Sequence, residues 1–436
     1  MNVLIVGCGT VGGGVAKILL ELKDELSFRA GQEIRLFKII EPFPEKAIER
    51  FSIPAEYFCG NGKNLSMEEI HNYLNKYISS NDIDLVIETV GGTDDFVFNL
   101  ALQAIENKKF YITANKALLA ERGKEIFCKA EEKKIFIGYE AAVCGAIPII
   151  KTINESFTGD KIESISGIFN GTSNYILSSM HTTNLSFNEA LKDAQIKGYA
   201  ESNPYLDISG RDAAHKLILL VRLAFGVSMN MEDLCIKGID DISNIEIDFA
   251  REIDATIKLI AFAIRINGSV YATVCPMMVK NSNMLAKVNG VTNAVRLVNK
   301  YGGKHILIGN GAGSSETASS IVSDIVFAAR YGSLYYKRFK STDLSIVSAE
   351  YLNFPYIIMF KTKDIPGITG LVTTAIGNQQ INIDTVSHNR HSNDYALFSV
   401  ATMPCNLNQL KAAIEEIKSK RSDVLLEEPK IMPVLY

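Results

Sequence analysis

The stretch of sequence that decides the fold is NVLIVGCGTVGGGVAKILLE, residues 2–21. An apolar run is followed by a cluster of glycines, and from Val15 onward apolar residues recur at helical spacing. This order predicts a strand, a tight turn and a helix. Three further apolar runs predict strands, at residues 34–40, 85–89 and 110–113. Because helical patterns such as residues 96–107 separate them, we expect a doubly wound parallel sheet of the α/β class.

The glycines of the turn form a G-x-G-x-x-G pattern, Gly7-Cys8-Gly9-Thr10-Val11-Gly12, between the predicted strand and helix. Gly7 permits the tight turn, Gly9 lets a pyrophosphate approach the backbone, and Gly12 lets the helix pack closely on the strand. The start of the helix adds free N–H groups and a positive dipole end. We therefore expect a dinucleotide site at residues 7–12. A glycine-rich turn that serves packing alone is the alternative, which the two further glycines favour.

The choice between NAD and NADP is expected at the end of the second strand. Glu41 stands there, and a carboxylate in that position accepts hydrogen bonds from ribose hydroxyls and repels a 2′-phosphate. Lys38 and Lys46 lie nearby in the sequence and leave NADP open. The residues favour NAD.

The composition is that of an ordinary soluble protein. The 436 residues are 47% hydrophobic and 22% charged, and the net charge of −4 gives no reason to expect nucleic acid or a membrane as a partner. The seven cysteines are scattered without metal-ligand spacing, which predicts a reduced, cytoplasmic protein. The first 20 residues lack the basic region of a signal peptide, and no stretch reaches the roughly 18 apolar residues of a membrane span.

Charged side chains stand in apolar surroundings in the middle of the chain. Lys116 directly follows a predicted strand, at the sheet edge where such folds bind ligands, although a surface lysine opening a helix is equally consistent. Asp212 and Lys216 are one helical turn apart, and the apolar residues around them favour a buried pair over a surface ion pair. A lysine held protonated by Asp212 suits a general acid for an alkoxide formed by hydride transfer. Glu201 and Asp207 add negative charge suited to a substrate ammonium group.

Several segments of the chain resemble, in the same order, the motifs of homoserine dehydrogenases. They are residues 7–12, 113–120 (TANKALLA), 139–148 (YEAAVCGAIP), 169–175 (FNGTSNY), 198–216 (GYAESNPYLDISGRDAAHK) and 309–317 (GNGAGSSET). The resemblance covers about residues 1–340, and the second and fifth segments are highly specific to the family. It implies the NAD(P)H-dependent reduction of aspartate 4-semialdehyde to homoserine, on the route to threonine, methionine and isoleucine.

The resemblance also implies roles for particular residues. Lys216 would be the proton donor, Lys116 would lie between cofactor and substrate, and Asp212 would orient the reacting groups. The implied substrate contacts are Glu201, Asp207, Gly171, Thr172 and Tyr199. Gly91 and Gly311 are further expected cofactor contacts. Glu140 with the carbonyls of Val143, Gly145 and Ile147 resembles the family's sodium site, although a strand-to-loop turn would look the same.

The chain departs from the family pattern at two places. Many relatives have an acidic residue where Asn203 stands. Relatives that favour NADP tend to carry an arginine after the second strand, where this chain has Glu41-Pro42-Phe43-Pro44. The resemblance therefore leaves the cofactor preference open, and Glu41 tilts it towards NAD.

The last part of the chain predicts a βαββαβ order. The segment KDIPGI, residues 363–368, at a strand end before a helix resembles the opening of ACT domains, which pair between subunits and bind amino acids near that glycine turn. Feedback inhibition by threonine is implied, and a dimerisation module that binds nothing is the alternative. His388 and His391 resemble a metal pair, but exposed loop histidines are the expectation.

Three domains are expected. An NAD(P)-binding Rossmann domain spans residues 1–138 and is completed by residues 305–340, an α+β catalytic and dimerisation domain spans 139–304, and an ACT domain spans 350–436. A homodimer or homotetramer is expected. Two other functions are the alternatives. One is another NAD(P)-dependent amino-acid oxidoreductase, which would not need Glu201, Asp212 and Lys216 together, and the other is a non-catalytic dinucleotide-binding sensor, which would not need a lysine at position 216.

Overall fold

A computed structural model describes residues 1–332, 334, 342–390 and 395–436. Its first sheet is formed by β1 (Asn2–Val6), β2 (Arg35–Ile40), β3 (Leu85–Glu88), β4 (Phe110–Thr113) and β5 (Ile137–Gly138). The strands are parallel, in the order β2-β1-β3-β4-β5. Both faces are covered, which explains why the strands are continuous runs of Val, Leu and Ile. The carboxyl ends of the strands therefore meet at one edge.

Helices cover both faces of this sheet. They are α1 (Thr10–Glu21), α2 (Lys23–Ala30), α3 (Glu45–Phe51), α4 (Met67–Ile78), α5 (Asp95–Glu106), α6 (Lys116–Glu121) and α7 (Gly123–Lys133). Local sequence fixes several of their starts: Ser66 caps α4 in a capping box with Glu69, and Asp94 accepts the Val97 N–H at the start of α5.

The middle of the chain builds a second, largely antiparallel sheet. The helices and strands of this part of the chain are α8 (Ile149–Lys151), β6 (Ile162–Ile168), α9 (Gly171–Thr183), α10 (Phe187–Ile196), α11 (Tyr205–Ile208), α12 (Arg211–Phe225), β7 (Cys235–Ile236), α13 (Asn244–Glu252), β8 (Ala255–Ile266), β9 (Ser269–Lys280), β10 (Thr292–Asn299), β11 (Gly303–Asn310), α14 (Ser314–Tyr331) and β12 (Ser345–Ser348). The strand order is β11-β10-β6-β8-β9. Asn267-Gly268, both at positive φ, makes the tight turn of the β8–β9 hairpin.

Helix α14 returns to the first sheet. Its buried residues Ala318, Ile321 and Ile325 share a hydrophobic cluster with Val3 and Ile5 of β1. Part of the segment expected to complete the first domain, residues 333 and 335–340, lies outside the described residues.

The last part of the chain consists of β13 (Tyr356–Thr362), α15 (Ile368–Asn378), β14 (Ile383–Arg390), β15 (Ala396–Thr402), α16 (Leu407–Lys420) and β16 (Lys430–Leu435). The antiparallel order is β16-β13-β15-β14, and the helices share one core with these strands. The end of β16 leaves this sheet and pairs in parallel with β9, with Val434 opposite Met278. The C-terminal strand thus joins the two sheets. His391 lies outside the described residues, and nothing is described of the His388 side chain.

Short helices connect these elements. They are 3₁₀ helices at Ala55–Tyr57, Cys59–Gly62, Glu140–Ala142, Met231–Asp233, Met284–Lys287 and Ala349–Tyr351, and a π-helical turn at Thr152–Ser156. None of the helices in the described part of the chain is both long enough and apolar enough to cross a membrane.

Candidate active site

The glycine turn after β1 is shaped by close backbone contacts. Gly7 has φ +90° and donates its N–H to the Ile40 carbonyl at 2.9 Å. A β-carbon at Gly12 would lie 2.1 Å from the Gly7 carbonyl oxygen, so only glycine lets α1 begin this close to the strand. Around Gly9, by contrast, an added β-carbon would meet no heavy atom within 4 Å. The surface above Gly9 is therefore open to a ligand.

The two glycines that follow the motif serve packing. A β-carbon at Gly13 would lie 2.2 Å from the ring of Phe51 in α3, and one at Gly14 would lie 3.1 Å from Ala318 in α14. Helix α1 is thus wedged between α3 and α14. The packing role suspected from the sequence applies to these two positions and not to Gly9.

Glu41 lies beside the glycine turn, as its place after β2 predicts. Its carboxylate accepts the Cys8 N–H at 2.6 Å and the Phe43 N–H at 3.1 Å. Both carboxylate oxygens are therefore tied to backbone amides, which brace the turn between β1 and the loop after β2. Burial raises the pKa of the neighbouring Cys8 thiol to about 12, so this cysteine is not reactive.

A fully buried carboxylate, which the sequence analysis did not single out, ends β3. Glu88 accepts the N–H groups of Val90 and Gly91 at 2.7 and 2.8 Å, and the Thr113 hydroxyl donates to it at 2.6 Å. Gly91 has φ +82° and an open β-carbon position at this sheet edge. An acidic residue directly after the apolar run Leu85–Ile87 was the available signal, since a charge there is buried only with partners.

Lys116 begins α6 at the same edge. Asn115 caps the helix by accepting the Leu118 N–H at 3.1 Å and donates to the Gly92 carbonyl at 2.6 Å. The ammonium of Lys116 lies 3.2 Å from Asp212 of α12, while the side chain stays 38% exposed. Lys116 thus reaches from the first sheet to the second, with a face open to solvent.

Asp212 and Lys216 form a buried pair on α12. The Lys216 ammonium donates to Asp212 at 2.7 Å and to the Phe169 carbonyl at 2.6 Å, where β6 ends. The Asn170 side chain donates to Asp212 at 2.8 Å and to Asp207 at 2.6 Å. Asn170 is a contact that the sequence analysis missed, although it stands in the FNGTSNY segment.

The charges in this cluster hold each other in the ionised state. Burial alone raises the pKa of Asp212, but Lys216 and then Lys116 outweigh it, so the pKa lies well below its ordinary value. Burial alone lowers the pKa of Lys216, but the charge and hydrogen bond of Asp212, with smaller contributions from Cys144 and Asp207, together raise it above its ordinary value. Burial also raises the pKa of Asp207, against the hydrogen bond from Asn170. At neutral pH the Asp212–Lys216 pair is therefore carboxylate and ammonium.

The remaining predicted substrate residues lie around this cluster to different degrees. Thr172, in the first turn of α9, donates its hydroxyl to the Tyr199 carbonyl at 2.7 Å, and the ring of Tyr199 packs against Tyr175 at 4.9 Å between centroids. Gly171 begins α9 and has no room for a β-carbon, which would lie 2.6 Å from the Val291 carbonyl oxygen. Glu201 is exposed, and only its carbonyl has a described partner, Gln195.

Glu140 belongs to a buried acidic pair at the junction of the two sheets. Its carboxylate accepts the N–H groups of Ile150 and Lys151 at 2.7 and 2.9 Å, and its own N–H donates to Asp324 at 2.9 Å. The Lys151 ammonium lies 2.6 Å from Asp324 and 3.8 Å from Glu140. Burial raises the pKa of Glu140 to about 7, and Asp324 adds to the effect. One ammonium thus faces two carboxyl groups.

The backbone between Val143 and Ile147 follows that pair. The Gly145 carbonyl accepts the Ser320 hydroxyl at 2.8 Å and the Ile147 carbonyl accepts the Ile149 N–H at 2.7 Å. The described residues contain no group of three or more His, Cys, Asp or Glu side chains that could hold a metal ion. A cation here would therefore depend on backbone carbonyls.

Gly311 lies close to this loop. A β-carbon there would lie 2.0 Å from the Asn293 side-chain nitrogen, and one at Gly145 would lie 2.7 Å from the Gly311 carbonyl carbon. The Asn293 carboxamide is buried without a hydrogen-bond partner among the described residues. The loop before α14 is thus held close to the second sheet.

Comparison with known proteins matches this geometry to one family. The family models "Homoserine dehydrogenase, NAD binding domain" and "Homoserine dehydrogenase" match residues 7–140 and 148–326. A homoserine dehydrogenase of Neisseria gonorrhoeae is 34% identical over 96% of this chain and 95% of its own length. One of Helicobacter pylori is 35% identical over 99% of this chain and 98% of its own length.

A solved structure agrees. The crystal structure of a homoserine dehydrogenase from Thiobacillus denitrificans is 32% identical and aligns with a TM-score of 0.90, covering 100% of this chain and 98% of the other. The expected Rossmann-type fold and the expected family are both confirmed. The chain belongs to the homoserine dehydrogenase family and is an NAD(P)-dependent oxidoreductase.

Proposed function

We propose that Lys216 is the proton donor when aspartate 4-semialdehyde is reduced to homoserine. A bound reduced nicotinamide supplies the hydride to the carbonyl carbon. The carbonyl oxygen then gains negative charge and takes a proton from the Lys216 ammonium. The observation that carries this proposal is the buried contact of Lys216 with Asp212 at 2.7 Å, which keeps a proton on the lysine at neutral pH.

Lys116 and Asp212 have supporting roles in the proposal. Asp212 orients Lys216 and maintains its charge, because it accepts from the ammonium at 2.7 Å within the same helix. Lys116, 3.2 Å from the other oxygen of Asp212 and partly exposed, directs its ammonium towards the space between cofactor and substrate. Its positive charge stabilises the developing alkoxide.

The substrate is proposed to lie over the start of α9 and α11. Asp207 and Glu201 provide negative charge for the substrate ammonium group, and Asp207 is fixed by the hydrogen bond from Asn170 at 2.6 Å. Gly171, Thr172 and Tyr199 line the pocket, supported by the Thr172–Tyr199 hydrogen bond. Glu201 is exposed, and in this proposal its carboxylate contacts the ammonium group of the bound substrate.

The cofactor is proposed to lie over the turn at residues 7–12, with Gly91, Lys116 and Gly311 at its nicotinamide side. The open position above Gly9 and the uncapped start of α1 support this placement. Glu41 supports NAD over NADP through its charge, although its oxygens are already engaged with two backbone amides.

A sodium ion is proposed at Glu140 and the carbonyls of Val143, Gly145 and Ile147. The donors fit an alkali cation, because all are oxygens and a carbonyl keeps a second lone pair when it accepts one hydrogen bond. The excess of carboxyl groups over ammonium groups at Glu140, Asp324 and Lys151 favours an added positive charge. Sodium would balance this charge at the junction of the two sheets.

The domain organisation is also proposed. Residues 1–138 with 305–340 form the nucleotide domain, 139–304 the catalytic and dimerisation domain, and 350–436 an ACT domain that binds threonine. The strand order β16-β13-β15-β14 with two helices supports the last of these. A homodimer or homotetramer is proposed, with pairing through the last two domains.

The test of the catalytic proposal is turnover of aspartate semialdehyde with NADH and NADPH by Lys216→Ala. We expect turnover to fall about 10²–10⁴-fold, the usual contribution of a general acid, while NADH binding stays nearly unchanged. The matched control is Lys237→Ala, which removes another lysine four residues from an aspartate, but on the surface, with the two side chains 46% and 44% exposed. A Lys216→Ala enzyme with normal turnover would refute the assignment.

A further inference from the structure

Arg50 lies beside the glycine turn, although it is distant from it in sequence. It stands in the last turn of α3, and its guanidinium donates to the Thr10 hydroxyl at 3.2 Å. The neighbouring Phe51 fills the space that Gly13 leaves open, which fixes the end of α3 against the start of α1. Arg50 is therefore held at the rim of the proposed cofactor site.

The charge at this rim is unbalanced. Helix α1 begins without a side-chain cap and without an acidic residue in its first turn, so no side chain of the helix itself compensates the positive end of its dipole. Within the described ranges, the Arg50 guanidinium has no carboxylate at ion-pair distance. By contrast, Arg29 and Arg35 of the same region contact Glu25 and Glu33. The Arg50 guanidinium and the positive end of the α1 dipole therefore lie at the same rim.

The Glu41 carboxylate does not form an ion pair with Arg50. It is bound to the backbone N–H groups of Cys8 and Phe43, and the Arg50 guanidinium instead contacts the Thr10 hydroxyl. The Arg50 guanidinium keeps further N–H donors free after its bond to Thr10, since the group carries five. Phosphate is the ligand that a guanidinium and a helix N-terminus favour together.

We infer that Arg50 binds a phosphate group of the dinucleotide and sets the affinity of the enzyme for its cofactor. The inference rests on the proposed placement of the cofactor over residues 7–12. Two phosphate groups of the cofactor have the charge and the oxygen acceptors that Arg50 would bind. In the proposed placement the pyrophosphate would lie at the start of α1, next to Thr10, whereas the 2′-phosphate of NADP would lie towards the end of β2, from which α3 follows.

The experiment measures NADH and NADPH binding to Arg50→Gln by quenching of nicotinamide fluorescence, with ADP and adenosine 2′,5′-bisphosphate as competitors. The loss of a charge-assisted hydrogen bond predicts a Kd about 10–100-fold higher. If both cofactors weaken alike, the phosphate is the pyrophosphate. If NADPH and adenosine 2′,5′-bisphosphate weaken while NADH and ADP do not, it is the 2′-phosphate. Arg35→Gln, which removes a paired arginine at the opposite end of β2, is the control.

Unchanged Kd values for both cofactors in a folded Arg50→Gln enzyme overturn the inference. Gly9→Val separates this outcome from a failure of the cofactor placement itself, because a β-carbon at Gly9 meets no heavy atom within 4 Å in the protein alone, whereas a branched side chain there would occupy the proposed approach of the pyrophosphate to the backbone. If Gly9→Val abolishes binding and Arg50→Gln does not alter it, the placement stands and the role of Arg50 is wrong. If Gly9→Val also binds normally, the cofactor does not lie over the turn and both ideas fail.

Discussion

Replacing Asp212 by asparagine tests how the proton on Lys216 is held. The substitution keeps the size of the side chain and removes one charge at 2.7 Å from the Lys216 ammonium and at 3.2 Å from that of Lys116. Asn170, which donates to the same carboxylate, can still donate to the asparagine oxygen. The variant therefore changes the electrostatics of the cluster more than its packing.

The magnitude follows from the burial of the pair. Two unit charges 2.7 Å apart attract by about 6 kcal/mol at an effective dielectric constant of about 20, which is an upper bound. Removing one partner of a buried ion pair costs about 3–5 kcal/mol in practice. Lys216 avoids that cost by releasing its proton, and each pKa unit is worth about 1.4 kcal/mol. The pH dependence that Lys216 controls should accordingly move down by about 2–4 pH units.

The direction of the effect differs for the two directions of the reaction. Homoserine oxidation needs an unprotonated Lys216 to accept the proton, so in the parent enzyme its rate should rise with pH far into the alkaline range, because the pKa of Lys216 is raised. In Asp212→Asn the rise should begin about 2–4 pH units earlier. Semialdehyde reduction needs the Lys216 ammonium. In Asp212→Asn its rate should therefore fall with rising pH about 2–4 pH units earlier than in the parent enzyme.

The assay is kcat/KM in both directions against pH, followed by nicotinamide absorbance. Asp241→Asn is the matched control, since Asp241 pairs with the surface residue Lys237 at 2.9 Å with the same spacing. A folded Asp212→Asn enzyme whose two pH profiles coincide with those of the parent would falsify the view that Asp212 keeps Lys216 protonated.

Three further predictions concern the other proposals. Glu41→Arg should raise the preference for NADPH over NADH, while total affinity falls because the Cys8 and Phe43 N–H groups lose their acceptor; an unchanged ratio in binding titrations contradicts the assignment. Replacing sodium by choline should lower the melting temperature, by an amount that corresponds to about 2.7 kcal/mol if sodium was present at 100 times its Kd, and Glu140→Gln should abolish this dependence; equal melting curves argue against the site. Threonine should inhibit semialdehyde reduction by the full chain. It should not inhibit a chain that lacks residues 434–436, because this deletion removes the pairing of β16 with β9. Equal inhibition of both forms would show that the pairing does not transmit the effect of threonine.

The first sheet could be predicted closely from the sequence because its signals are local. Each strand is an uninterrupted apolar run, and the predicted strand at residues 34–40 corresponds to Arg35–Ile40 in the structure. Asp212 and Lys216, which the sequence analysis places one helical turn apart, lie on the observed helix Arg211–Phe225. The order βαββαβ at the end of the chain is likewise observed. In these segments the spacing of apolar residues along a short stretch of chain is enough to predict the secondary structure.

The second sheet was harder to predict because its strands are paired over long sequence distances. β10 and β11 were not predicted, and the exposed edge strand β11 alternates weakly between polar and apolar residues. Nor could the sequence show that the end of β16 pairs with β9, more than 150 residues away. Such pairings depend on tertiary packing that no local pattern encodes.

The partners of buried polar side chains could not be predicted from the sequence either. Lys258 looks like a polar interruption of an apolar strand, yet it is fully buried, and four acceptors surround the three N–H groups of its ammonium: Asn174, Ser178, Asn289 and the Val288 carbonyl. Burial lowers its pKa to about 7. The sequence shows a lysine in a strand, but only the fold brings together the four acceptors that satisfy it. The same holds for Glu88 and Asn170.

The charge balance of the cluster explains why both sheets contribute to it. Lys216 and Asp212 alone are neutral as a pair and give no net attraction for a carbonyl oxygen that becomes negative. Lys116 adds one positive charge from the edge of the first sheet, at 3.2 Å from Asp212, and it is the member of the three with an exposed face. Among Lys216, Asp212 and Lys116 the excess positive charge therefore exists only where the two sheets meet, while the negative charge of Asp207 faces the substrate ammonium group in the proposed reaction. A substitution that separates α6 from α12 should thus lower turnover even if each sheet keeps its own structure.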